Sequence, residues 1–199
     1  MLNKIYKAML ERATPYLKRG RKYDYSHTKA IIPIAETIIK KDGLDEEIIL
    51  PAIIFHDIGW SLVSNELRLE YYSHKARMAH MRMGAKLTKK LLGQFNYPKN
   101  KVNSICHLVR VHDYPSSGVN KSLKTKNELA VACIDFLWRL TKSGFWANTT
   151  TKSEATHKLA TLKSHAKEKK LFYFSKAGTK IYKRLLADRA QDIKKKTYH

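Results

Sequence analysis

Residues 52–60 read "AIIFHDIGW", that is Ala52 through Trp60, and place an imidazole and a carboxylate, His56 and Asp57, at the end of an otherwise apolar run. Burying such groups without compensation costs several kcal/mol per ion, about the margin on which a domain survives. They must therefore pair with each other, with neighbours from elsewhere in the chain, or with a cation. The polar residues of the other helices decide among these, once the helices themselves are laid out.

Apolar residues recur at steps of three and four along almost the whole chain and no alternating strand pattern emerges, so the spacing predicts an all-α protein. Helices are expected over roughly residues 2–12, 25–41, 45–57, 73–93, 99–113, 126–143, 152–170 and 175–195. Pro15 and Gly20 fall in a basic loop after the first, and Asp42-Gly43 stops the second. Asp45 caps the third, with Glu46 and Glu47 favouring its N-terminal dipole, and Pro51 should kink that helix or mark a junction. Residues 1–143 form one core including the N-terminal helix, and 144–199 are a basic helical extension of the same domain.

The 199 residues carry 39 Lys or Arg against 17 Asp or Glu, a formal net charge of +22. Residues 141–199 alone contribute 15 basic and 4 acidic side chains, more than twice the basic excess per residue of the rest. Such a field concentrates anionic ligands without choosing among them. There is no long apolar span and no apolar leader, and Cys106 and Cys133 have no zinc-binding spacing, so a soluble, cytoplasmic protein with core thiols is expected.

Helical steps place the polar residues. Ile38, Ile34 and Ile31 lead back to His27; Ile49, Ala52 and Ile53 lead to His56 and Asp57. His80 shares a face with Gly84, Leu87 and Leu91, His112 with Val102, Ile105 and Val109, and Asp135 with Leu129 and Ala132. Five helices thus each aim an imidazole or carboxylate inward. One buried histidine is ordinarily a satisfied core residue, but four with two carboxylates ask for a shared cation. Imidazole suits transition metals and carboxylate admits harder ions, and this donor set leaves positions for water, as catalytic sites do. His74, His107, His157, His165 and His199 serve as controls and receive no role; His157 and His165 are expected on exposed helices.

The ordered set His27, His56-Asp57 and Asp135 resembles the HD-domain superfamily of metal-dependent phosphohydrolases, over about Tyr23 to Leu140. "HDIGW" after an apolar helix and "VACIDFLWRL" around Asp135 agree with that family's motifs. The resemblance implies an HD-domain helical bundle, here with two additional basic C-terminal helices, in which His27, His56, Asp57 and Asp135 ligate a first divalent metal. "HMRMGAKLTKKLL" and "ICHLVRVHDYP" are similar to the segments that supply two further histidines in two-metal members, so His80 and His112 are expected to hold a second ion, with Asp57 bridging. In a one-metal protein they would line the pocket instead. The ion is one of Mn, Fe, Co, Ni, Mg or Zn. The Glu-Asp pair of ppGpp hydrolases and the Gly-Tyr-Pro signature of cyclic-di-GMP phosphodiesterases are both missing.

On this reading the protein is a metal-dependent phosphohydrolase cleaving a phosphate ester or anhydride of a nucleotide or similar phosphorylated metabolite, with Asp57, His80 and His112 at the reacting centre and a metal-activated water as nucleophile. Arg77 and Arg139, each one turn from a ligand, are candidates for binding the anionic substrate. Trp60 and Trp138 could stack a base, though tryptophan in an apolar helix is ordinarily core. The alternatives are a di-iron oxygenase with the same six residues, and a basic nucleic-acid-binding protein with a vestigial site. Nucleic acid is the less favoured partner because "KSLKTK" and "KEKK" lack interleaved aromatics. The sequence leaves the oligomeric state open.

Overall fold

The computed structural model describes residues 2–117, 122–168 and 175–195. Among these the regular structure is helical throughout: α1 Lys4–Arg19, α2 Asp24–Asp42, α3 Glu46–Phe55, α4 Asn65–Leu69, α5 His74–Gln94, α6 Lys99–Val111, α7 Lys126–Leu137, α8 Lys142–Trp146, α9 Lys152–Glu168 and α10 Lys176–Lys195, with 3-10 turns at Ile58–Leu62, Tyr114–Ser116 and Trp138–Leu140. The all-α bundle expected from the sequence is what the described residues form.

α3 lies at the centre. Every residue from Ile49 to Phe55 is buried, which its unbroken apolar sequence requires, and α1, α2, α6 and α7 pack around it. Asp45 starts it by accepting from the Glu47 N–H at 2.9 Å. Pro51 does not end it. The missing N–H leaves the carbonyl of Glu47 without its helical partner, and the Tyr97 hydroxyl donates to that carbonyl at 2.7 Å instead.

Two boundaries differ from the periodicity. α1 runs through Pro15 to Arg19 rather than stopping near residue 12. Pro15 is on the exposed face, where a carbonyl left without its helical partner is not buried at a cost, and Ala13 and Leu17 continue the buried stripe of Tyr6 and Met9. α7 ends at Leu137, not 143, because Thr141 begins a new helix by accepting from the Gly144 N–H at 3.1 Å. Gly144 packs against the carbonyl and ring-fusion atoms of Trp138, a contact that no Cβ would permit.

α9 and α10 dock on this core. Leu159, Leu162, Ile181 and Ile193 join the same buried apolar cluster as α1, α3 and α7. Asp42, at the end of α2, accepts from the Ser175 hydroxyl and the Ala177 N–H, while Ser175 Oγ accepts from the Gly178 N–H at 2.6 Å, so the start of α10 is pinned to the end of α2. His165 departs from its expected exposure: it is half-buried and stacked on Phe136. His157 is exposed as expected, and His199 lies outside the described residues. No helix among the described residues is long and apolar enough to cross a membrane.

Candidate metal centre

The chain builds the same corner twice. α3 ends at His56 (φ −56°, ψ −40°) followed by Asp57 (−100°, 0°), and α6 ends at His112 (−56°, −35°) followed by Asp113 (−100°, 11°); each aspartate leads into a 3-10 turn. In each corner the histidine Nδ1 hydrogen-bonds the carbonyl three residues back, His56 to Ile53 at 2.7 Å and His112 to Val109 at 2.8 Å. A carbonyl only accepts, so Nδ1 carries a proton in each ring and Nε2 is left facing the interior. Each aspartate meets an arginine, Asp57 with Arg21 Nη2 at 2.7 Å and Asp113 with Arg77 Nη1.

Around these corners the six inward residues fall into two groups. His27, His56 and Asp135 offer ligand atoms within 4.8 Å of one another, and so do Asp57, His80 and His112. Asp57 touches both. Its Oδ2 lies 3.2 Å from His56 Nε2 and 3.5 Å from His27 Nδ1, and its Oδ1 lies 3.7 Å from Nε2 of both His80 and His112. His80 Nε2 and His112 Nε2 are 3.3 Å apart. Metal–ligand bonds of about 2.1 Å put neighbouring donors about 3.0–3.5 Å apart, close to the 3.2–3.7 Å found around Asp57.

The buried nitrogens fit a cation better than they fit one another. His56 Nε2 has no hydrogen-bond partner. His27 Nε2 is 2.9 Å from Asp135 Oδ1 but without the alignment of a hydrogen bond. A lone pair facing a carboxylate oxygen repels it unless a proton or metal ion lies between. The electrostatics agree. Burial would raise the Asp57 and Asp135 carboxyls, yet Arg21 and His56 hold the first, and His27 and His56 the second, well below the usual range. Burial lowers His27, and burial together with His112 lowers His80 further, which favours the neutral form in which a ring can ligate. Burial also opposes charge on His56, but Asp57 and Asp135 outweigh it and push its pKa well up; a proton at Nε2 satisfies this pocket when nothing heavier does.

The two groups are not equally open. Asp57, His80 and His112 are all closed off, whereas the Asp135 side chain is 16% exposed. Each group has its own tryptophan. The Trp60 ring stacks on His80 with centroids 4.1 Å apart and donates its indole N–H to Asp57 Oδ1 at 3.1 Å. Trp138 lies parallel to His27 at 5.2 Å. Gly59 makes the first contact possible: a Cβ there would overlap the His80 carbonyl and the Gly84 backbone, so only glycine lets the turn after Asp57 lie flat on α5.

The HD domain family profile matches residues 24–138, more than half of the chain and the whole of the segment that carries these six residues. The chain belongs to the HD domain family. That family is one of metal-dependent phosphohydrolases, and the HD core here holds a buried His/Asp group able to take a metal. Nothing among curated proteins or solved structures matches the chain.

Of the two arginines chosen from sequence, Arg77 is buried and bound to Asp113, and Arg139 is half-buried over Phe136 with its Nη2 3.4 Å from Ser116 Oγ. The arginine in contact with the HD aspartate is Arg21, which helical spacing could not single out because it sits in the loop before α2. Its Nε also binds Asp24 at 2.8 Å and its guanidinium lies 4.5 Å from the Trp60 ring centre. Trp60 is fully buried, and Trp138 packs against His27 and Gly144.

Proposed function

We propose that this HD protein hydrolyses a phosphate ester or anhydride of a nucleotide or similar phosphorylated metabolite, with a pair of divalent ions held by His27, His56 and Asp135 on one side, His80 and His112 on the other, and Asp57 shared. Residues 1–143 act as the HD core and 144–199 as a basic extension of the same domain. The observation that carries the two-ion reading is Asp57, whose oxygens each face one group of donors while neither is buried without a cationic or N–H partner. Divalent ions in such a setting lower the pKa of a coordinated water and neutralise charge on phosphoryl oxygens.

The chain's own residues do the rest. Nδ1 of His56 and of His112, tied to backbone carbonyls, fixes the tautomer and aims Nε2 inward. Trp60 and Arg21 each donate to one oxygen of Asp57, which stops that carboxylate from rotating. The Asp135 side is the more accessible, and Arg21, 28% exposed, stands where a phosphate could reach it, with Arg77 and Arg139 the further cationic candidates. Incubating purified protein with nucleotides and phosphate monoesters, each with Mg, Mn, Co, Ni or Fe, tests the proposal by phosphate release. Iron retention with oxygen consumption and no phosphate release overturns it.

A further inference from the structure

The sequence disfavoured nucleic acid because no aromatic interleaves the C-terminal lysines. Folding changes that balance by bringing an aromatic from another helix to the end of α10. On α10, Lys176, Lys180, Lys183, Arg184, Lys194 and Lys195 are all exposed. At about 100° per residue they fall within about 120° of the helix circumference, along a length of about 28 Å. Asp188 and Asp192 point to the side of that band and are half-buried, and Asp192 is held by Arg189 at 2.8 Å. The opposite, apolar face, with Gly178, Leu185 and Ile193, packs on the bundle. At its C-terminal end the band meets a cleft of about 820 Å³ lined by Lys142, Ser143, Trp146, Asp192 and Lys195.

We propose that the outer face of α10 and this cleft bind single-stranded nucleic acid, the cations following the phosphodiester backbone and Trp146 stacking a base in the cleft. A strip of charge that long fits a linear polyanion and is too extended to close on one phosphate. A membrane surface fits less well, because the apolar face that would insert between lipids is occupied by the protein core. The cleft adds an indole to a lining that also holds two lysines, where lysines alone would serve any polyanion.

Fluorescence anisotropy with labelled 12-nucleotide oligo(dT) and oligo(U), the matching duplex, and phosphatidylserine vesicles as competitor tests this on the intact protein across a salt series. Single strands are expected to bind with a log–log salt slope of about −4, for six cations at about 0.7 per contact. Replacing Lys176, Lys180, Lys183 and Arg184 by Gln should cut the slope by about 3 and weaken binding at least about tenfold. Trp146→Ala should weaken single-strand binding at least about fivefold and leave the duplex unaffected. Lys142→Gln with Lys195→Gln supplies an independent reading of the cleft should Trp146→Ala unfold. The proposal is overturned by a parent protein that binds no oligonucleotide at low salt, by variants that bind like the parent, by a duplex that is bound equally and depends equally on Trp146, or by vesicles that displace the oligonucleotide at equal charge.

Discussion

Trp60 and Asp57 are joined by a 3.1 Å hydrogen bond from the indole N–H to Oδ1, the oxygen that faces His80 and His112, and the same indole stacks on His80. One side chain therefore orients two of the three donors in the closed group. Trp60→Phe keeps the stack and removes the donor. Loss of an outer-shell hydrogen bond of this kind lowers metal affinity about 10- to 100-fold. Metal titration of the variant should show the second ion weakened by that factor and the first unchanged; equal weakening of both would mean that Trp60 acts on the fold rather than on this group.

Asp57 is the one of the six whose loss should reach both groups. Asp57→Ala is expected to leave less than one bound ion per chain and no phosphohydrolase activity, whereas His80→Ala or His112→Ala should retain one ion. Metal content by mass spectrometry after desalting separates these outcomes. If His80→Ala and Asp57→Ala retain the same stoichiometry, Asp57 is not shared.

Most of this arrangement was legible in the sequence because it rests on periodicity. His27, His80 and Asp135 continue apolar stripes at helical steps, so their inward direction follows from spacing, and α3 is apolar on every face because every face is covered. His56 and His112 differ in kind: they terminate helices, and the backbone carbonyls that set their tautomers were not readable from spacing. Arg21 escaped because a loop has no period, and its meeting with Asp57 is a tertiary contact across 36 residues. α4, α8 and the 3-10 turns are too short for a periodic signal. The pairing of Arg77 with Asp113 repeats that of Arg21 with Asp57, and only the structure brings the two corners into comparison.

Arg21 holds the outer oxygen of Asp57 and is the solvent-accessible cation nearest to it. Arg21→Lys preserves charge but cannot bind Asp24 and Asp57 in the same forked geometry. A fall in kcat of about 10- to 100-fold with metal stoichiometry intact is expected, and a larger fall for Arg21→Ala. Steady-state kinetics beside metal analysis checks this. Full activity in Arg21→Ala would remove the residue from the reaction.

Acid and alkali act on the metal-free protein through different groups. Asp57 and Asp135 titrate well below 3.8 in the fold, so their contribution to stability is fully present above that value and is lost as pH falls through the folded values. His56 titrates well above 6.5, so its contribution is present below 6.5 and is lost as pH rises through the folded value. Chelated protein should therefore melt highest between these limits. Metal must displace the His56 proton, so affinity should climb with pH until that proton is gone, with proton uptake by the buffer visible in calorimetry. An affinity that stays flat from about pH 6 to about pH 9 would falsify the assignment of His56 as both proton holder and ligand.

Gly59 tests whether the turn after the HD pair is built for contact with α5. A methyl group there overlaps the His80 carbonyl and the Gly84 backbone, neither of which can swing aside as a flexible side chain could. Gly59→Ala should destabilise the fold by about 1–3 kcal/mol, the usual range for overpacking, or force the turn off the helix. If the turn moves, Trp60 leaves His80, and the closed donor group loses its indole. Denaturant melts and near-ultraviolet circular dichroism of the variant distinguish the two responses: a lower midpoint with an unchanged tryptophan signal means strain absorbed in place, and a changed signal with weakened second-ion binding means that the stack has opened. Parent-like stability together with a parent-like spectrum would show that the turn has room that its packing against α5 denies.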